Sequence, residues 1–104
     1  MPLTKDFKAN VMARAHRDKA FCNALLTEAI NEFLTGDIDV GKAMLRDYIN
    51  AAISFEILST MLGKNPKSLM RMLGPQGNPT SKSLFEIFHV IQKLKKMKIT
   101  ILLK

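Results

Sequence analysis

The chain has 104 residues, of which 47% are hydrophobic and 24% are charged, and its formal net charge is +7. This length predicts one domain with a small core, and the single cysteine excludes an internal disulfide. No stretch approaches the roughly 20 apolar residues of a membrane span, and the N-terminal MPLTKDFK lacks the apolar core of a signal peptide. We therefore expect a soluble, cytoplasmic protein.

The charge is unevenly distributed along the chain. Residues 1–53 hold seven basic and seven acidic side chains, whereas residues 54–104 hold nine basic and only two acidic ones. The whole excess of positive charge therefore lies in the second half. A polyanion such as DNA is the natural partner of this half, because phosphates neutralised by protein release counterions. A solvated basic surface that only keeps the protein in solution is the alternative.

The first half is predicted to form three helices, because its apolar residues recur with helical periodicity. The first helix is expected over about residues 5–17, and the second from Asp18 or Lys19 to Leu34. Asp37 or Asp39 is expected to cap the third helix. The apolar residues of this third helix, at three- and four-residue spacing, are Val40, Met44, Leu45, Tyr48, Ile49 and Ala52.

Residues 55–72, FEILSTMLGKNPKSLMRM, are typical of two helices joined by a sharp turn. Ser59 is small where the second helix must cross the first closely, and Gly63 fits a turn that needs a positive φ. Asn65 can cap the second helix, and Pro66 fits its first turn because no backbone donor is needed there. The apolar face of the first helix comprises Phe55, Leu58 and Leu62.

The second helix of this pair is predicted to bury one side and expose the other. Leu69 and Met72 point into the core, which leaves Lys67, Ser68, Met70 and Arg71 facing outward. A helix that reads the major groove needs one buried side and, on its exposed side, long side chains that carry hydrogen-bond donors. Lys67 and Arg71, four residues apart, project from the same side. Met70 could contact a thymine methyl group, or it could pack at a subunit contact.

The segment after this pair, GPQGNPTS, is rich in turn residues and predicts a loop. Thr80 or Ser81 is expected to cap a final helix with a buried stripe of Leu84, Ile87, Phe88, Ile91 and Leu94. The loop and the start of this helix could form a rim that contacts phosphates. The predicted DNA-binding residues are Asn65, Lys67, Ser68, Met70, Arg71, Gln76, Asn78 and Lys82. For Lys82, an ordinary surface lysine is the alternative.

Residues 97–103, MKITILL, alternate around β-branched residues and predict a strand. Since no other segment offers a partner strand, it is expected to pair with its own copy across a two-fold axis or with a strand of another protein. A frayed tail packed on the last helix is the alternative. The predicted fold is all-α, with five to six helices and this short terminal β-strand. The single domain divides into N-terminal helices (1–53), a helix-turn-helix core (54–96) and the strand (97–104).

Catalytic and metal-binding residues are not expected. Cys22 and His16 lie six residues apart, off the spacing that would place them on one helical face. Two histidines and one cysteine at unrelated spacing do not make a metal site, and no glycine-rich phosphate loop occurs. RNA is expected to be a weaker partner than DNA, because the aromatic residues fall mostly on predicted core faces, where they cannot stack on single strands. We predict a binding protein without a cofactor, not an enzyme.

From Phe55 onward, the pattern L-S-x-x-L-G, S-L-x-R-x-L and G-N-P-T-x-x-x-L-x-x-I resembles the Xre/Cro phage-repressor-like helix-turn-helix family. Residues 45–80, with the opening TKDFK and the GDID before the third helix, are more specifically similar to HigA-like addiction module antidote proteins. The resemblance implies a dimeric antitoxin of a type II toxin-antitoxin module.

Such an antitoxin represses its own operon and neutralises a RelE-like ribonuclease toxin. By position, the resemblance implies that Lys67, Ser68 and Arg71 read bases and that Asn65 caps their helix. Lys64 departs from the family pattern, which often has an apolar residue there. The alternatives are a protein-interaction module and a plain helix-turn-helix regulator without a toxin partner.

Overall fold

The computed structural model describes residues 18–104, and these residues form five helices. They are α1 (Lys19–Leu34), α2 (Ile38–Ala52), α3 (Phe55–Leu62), α4 (Pro66–Met72) and α5 (Ser81–Lys95). The prediction of an all-α fold is confirmed for this part of the chain, and the helix predicted for residues 5–17 lies outside it. None of the five helices combines the length and apolar character needed to cross a membrane.

Two of these helix N-caps were predicted, and a third was not. Side-chain oxygens of Asp37 and Thr80, both predicted candidates, accept backbone N–H groups at 3.2 and 3.1 Å. Asp18, which was not predicted as a cap, accepts the Phe21 N–H at 3.1 Å at the start of α1. Each bond satisfies a first-turn donor that has no partner inside the helix. The sequence offered two candidate caps for each of two helices. The structure has Asp37, and not Asp39, as the cap of α2, and Thr80, and not Ser81, as the cap of α5.

One cluster of buried side chains connects all five helices. α1 packs on α2, and α3 packs on both α4 and α5. The largest fully buried side chains are Tyr48, Leu45, Ile49, Leu58, Leu69, Leu73, Ile87 and Ile91. Val40 was expected on the apolar stripe of α2, but it is exposed because residues 34–40 form a corner that projects into solvent. The core therefore begins one turn into α2.

The C-terminal tail, residues 97–104, lies alongside α1 and forms no strand within the described part of the chain. Its first residues are anchored: Met97 and Ile99 pack against the core, and the Ile99 N–H donates to Gln92 Oε1 at 2.9 Å. The last apolar residues are not, and Ile101 and Leu103 are 73% and 89% exposed. A strand needs a neighbour that one chain does not supply, so pairing with another chain stays a prediction.

Tyr48 connects the core to a measurable pH dependence. Burial, with a smaller effect of Cys22, raises the pKa of Tyr48 to about 12. In the unfolded chain its pKa is about 10, so the unfolded state loses this proton first as the pH rises. Below pH ~10, we expect Tyr48 ionisation to leave the free energy of unfolding unchanged. As the pH rises between the two pKa values, the free energy of unfolding should fall by about 1.4 kcal/mol per pH unit.

Tyr48 is the only tyrosine, so tyrosinate absorbance follows this residue alone. The matched control is Tyr48→Phe, which should lack the added loss of stability at alkaline pH. Titration of the native protein near the ordinary tyrosine pKa would contradict the expectation.

Candidate nucleic-acid interface

The turn between α3 and α4 has the geometry that the sequence predicts. α3 ends at Gly63, whose left-handed φ of 66° glycine adopts without a Cβ penalty. Ser59 is buried, and its hydroxyl donates to the Glu56 carbonyl oxygen at 2.8 Å. A small, internally satisfied side chain at this position lets the two helices approach closely.

Asn65 caps the start of α4. Its Oδ1 accepts the backbone N–H groups of Lys67 at 2.8 Å and Ser68 at 3.4 Å. These two backbone amides therefore already donate hydrogen bonds within the protein. Asn65 can offer a ligand its Nδ2 group, and Ser68 can offer its exposed hydroxyl.

α4 has a buried side and an exposed side. Leu69, at the centre of the helix, is 2% exposed, and Leu73, the residue that follows the last residue of the helix, is 1% exposed. The side chains that point away from the core are Lys67, Ser68, Met70 and Arg71, and we call them the exposed face of α4. Within residues 18–104, neither cation of this face forms an ion pair. Both are therefore available to an anionic partner.

The exposed face of α4 continues into the loop that follows it. Four predicted DNA-binding residues, Ser68, Arg71, Gln76 and Asn78, line one shallow depression together with Met72 and Gly77. The other four, Asn65, Lys67, Met70 and Lys82, are also exposed but do not line it. All eight are thus accessible, and the structure brings half of them into one concave surface.

Gly77 permits this close approach of the loop to α4. A Cβ atom at Gly77 would collide with the carbonyl oxygens of Arg71 and Met72. Two backbone bonds of 3.0 Å shape the same turn, one from the Gly74 N–H to Arg71 O and one from the Gly77 N–H to Gly74 O. Residues 74–78, called the 74–78 loop below, are therefore held against the end of α4 that carries Arg71.

Lys42 also holds this loop, and the sequence reasoning missed it. Its Nζ donates to Gly77 O at 2.7 Å and to Gly74 O at 3.1 Å, and it lies 3.3 Å from Asp39 Oδ1. The residue is only 3% exposed. The sequence does contain a hint, because Lys42 precedes the buried Leu45 by three residues and therefore lies on the apolar side of α2.

Lys64, at a position where the helix-turn-helix pattern that this sequence resembles often has an apolar residue, does not disturb the turn. It is exposed, and its Nζ lies 3.9 Å from Glu86 Oε1 on α5. Both side chains are 42% exposed, so this pair contributes little to stability. A cation is tolerated here because the side chain points into solvent.

Other chemistry is scarce in the described residues. No group of three or more histidine, cysteine, aspartate or glutamate side chains within 18–104 is placed to hold a metal ion. Burial raises the pKa of the Cys22 thiol, which disfavours the reactive thiolate. Comparison of the chain with protein-family models, with curated proteins and with solved structures gave no match. The function is therefore argued from the residues of this chain.

Proposed function

We propose that this protein is a DNA-binding antitoxin of a type II toxin-antitoxin module that represses its own operon and neutralises a RelE-like toxin. The observation that carries the DNA-binding part is the exposed face of α4. Lys67 and Arg71 project from one side of a helix whose other side is anchored by the buried Leu69. This helix belongs to the half of the chain that holds the whole excess of positive charge.

In this proposal α4 enters the major groove. Arg71 grips a guanine through its two acceptors, Lys67 adds a second base or phosphate contact, and Met70 lies against a thymine methyl group. The remaining predicted residues contact phosphates and fix the register of the helix. They are Asn65, Ser68, Gln76, Asn78 and Lys82. All five polar side chains are exposed.

A second copy of the chain completes the proposed DNA-binding unit. The tail leaves Ile101, Leu102 and Leu103 between 73% and 89% exposed, next to Leu34, which is 66% exposed. Pairing of two tails about a two-fold axis would cover these side chains and satisfy strand backbone groups. Two copies of α4 roughly 34 Å apart would then fit a palindrome whose half-sites are one DNA turn apart. Sedimentation that finds only monomer at every concentration would contradict this assembly.

The salt dependence of duplex binding tests the DNA-binding proposal. A protein that neutralises several phosphates loses affinity steeply as salt rises, and a specific one still enriches a preferred sequence from a pool of random duplexes. We expect both results. The second candidate function, a protein-interaction module, predicts neither the steep salt dependence nor the preferred sequence. A plain helix-turn-helix regulator predicts both results but has no toxin partner.

The toxin partner is supported by the family resemblance of residues 45–80. We place the toxin contact on the neutral first half or on the tail, because the exposed face of α4 must stay free for DNA. The toxin-binding proposal can be tested by co-expressing this protein with the product of a neighbouring open reading frame that encodes a short, basic, RelE-like protein. Rescue of growth and co-purification of the two proteins are expected, whereas continued toxicity with no complex would contradict an antitoxin role.

A further inference from the structure

Lys42 belongs to the neutral first half of the chain, yet its charged group lies under the surface proposed to contact DNA. The ammonium group has three protons, and three oxygen atoms lie within reach: Gly74 O, Gly77 O and Asp39 Oδ1. The Lys42 side chain is 4% exposed, whereas the Asp39 side chain is 88% exposed. The positive charge is thus withdrawn from any ligand and directed at the backbone of the 74–78 loop.

From these contacts we infer that Lys42 is a positioning residue for DNA binding: its ammonium group fixes the 74–78 loop so that Gln76 and Asn78 stand beside Arg71. This inference rests on the proposed DNA-binding function. It assigns a role in recognition to a residue that cannot touch DNA itself.

The geometry favours a role in positioning for a specific reason. The Lys42 ammonium group bonds the Gly74 and Gly77 carbonyl oxygens, on either side of Gln76. On the side of α4, the Gly74 N–H donates to Arg71 O at 3.0 Å, and a Cβ atom at Gly77 would collide with the Arg71 carbonyl oxygen. The loop is therefore held on one side by α2 and on the other by the end of α4. Without the ammonium group, the two carbonyl groups would lose charge-assisted bonds, which are among the stronger hydrogen bonds in proteins.

Lys42→Met is the informative variant, because it keeps the length and apolar stem of the side chain but removes all three donors. In the free protein, hydrogen exchange at the Gly77 amide should become roughly tenfold faster, since the local opening of the loop costs less. Amides in the centre of α2 should keep their wild-type rates. Lys19→Met, which removes one exposed lysine of the same half, is the control for lost charge.

The second readout is a double-mutant cycle on duplex binding. Lys42→Met should weaken binding roughly tenfold for every duplex sequence tested, while the preference at the base read by Arg71 is kept. In a background that carries Gln76→Ala and Asn78→Ala, the same substitution should change the affinity less than about twofold, because the contacts that Lys42 positions are already absent. Lys19→Met should have the same small effect in both backgrounds.

If Lys42 acted only on folding, the duplex affinities and the Gly77 exchange rate would follow a different pattern. Equal losses in the two backgrounds, an unchanged duplex affinity, or an unchanged Gly77 exchange rate would each overturn the inference while leaving DNA binding itself intact. If the wild-type protein binds no duplex, the proposed function fails and this inference fails with it. Should Lys42→Met not fold, Lys42→Arg replaces it, because the longer planar guanidinium cannot reproduce the same three contacts.

Discussion

Replacing Leu69 with alanine is expected to lower the free energy of unfolding by about 3 kcal/mol. Leu69 is 2% exposed at the centre of α4, and its removal leaves a cavity beneath the exposed face of that helix. α4 has seven residues, too few to be helical without tertiary contacts. Packing of this leucine therefore holds α4 in place. Denaturant unfolding followed by circular dichroism measures the loss.

The matched control is Met70→Ala, one residue further along the same helix. Met70 is 42% exposed, so its truncation should change stability by less than about 0.5 kcal/mol. Leu69→Ala should also weaken duplex binding, because a displaced α4 no longer presents Lys67 and Arg71 together. Equal stabilities of the two variants would show that Leu69 is not the anchor of this helix.

Arg71→Ala is expected to remove sequence preference at one position of each half-site. A bidentate contact between arginine and guanine discriminates against other bases by about 1–3 kcal/mol. Arg71 is exposed on α4 and makes no ion pair within residues 18–104, so its guanidinium is available for such a contact. A gel-shift series, in which each base pair of the preferred duplex is varied in turn, measures the change.

Lys93→Ala is the matched control for this experiment. Lys93 is an exposed cation on α5, in the same basic half of the chain, and we place it outside the DNA contact. Its loss should weaken all duplexes slightly and equally, as a change in net charge does. If Arg71→Ala behaves in the same way, with an unchanged base preference, Arg71 does not read a base.

Much of the fold follows from short-range rules. The caps Asp37, Asn65 and Thr80 were predictable because a polar residue before an apolar run satisfies the first-turn amides of a helix. Gly63 was predictable because only glycine adopts a left-handed turn without cost. The buried side of α4 follows from helical periodicity. These features depend on residues within a few positions of one another.

Long-range contacts were not predictable in the same way. Lys42 counts as an ordinary surface charge by its type, and its burial depends on two carbonyl groups more than thirty residues away. Val40 fits the apolar spacing of α2, but the α1–α2 corner leaves it in solvent. For the predicted strand at residues 97–103, the missing information is the partner chain, because strand pairing is a property of two segments.

The most direct test of the proposed recognition surface is a map of amide chemical shifts on addition of the preferred duplex. We predict that the largest changes fall on α4 and the 74–78 loop, centred on Lys67, Arg71 and Gln76. The lysines at the end of α5 and in the tail should change little. Changes confined to α5 and the tail, with α4 unaffected, would contradict the assignment of α4 as the helix that reads DNA.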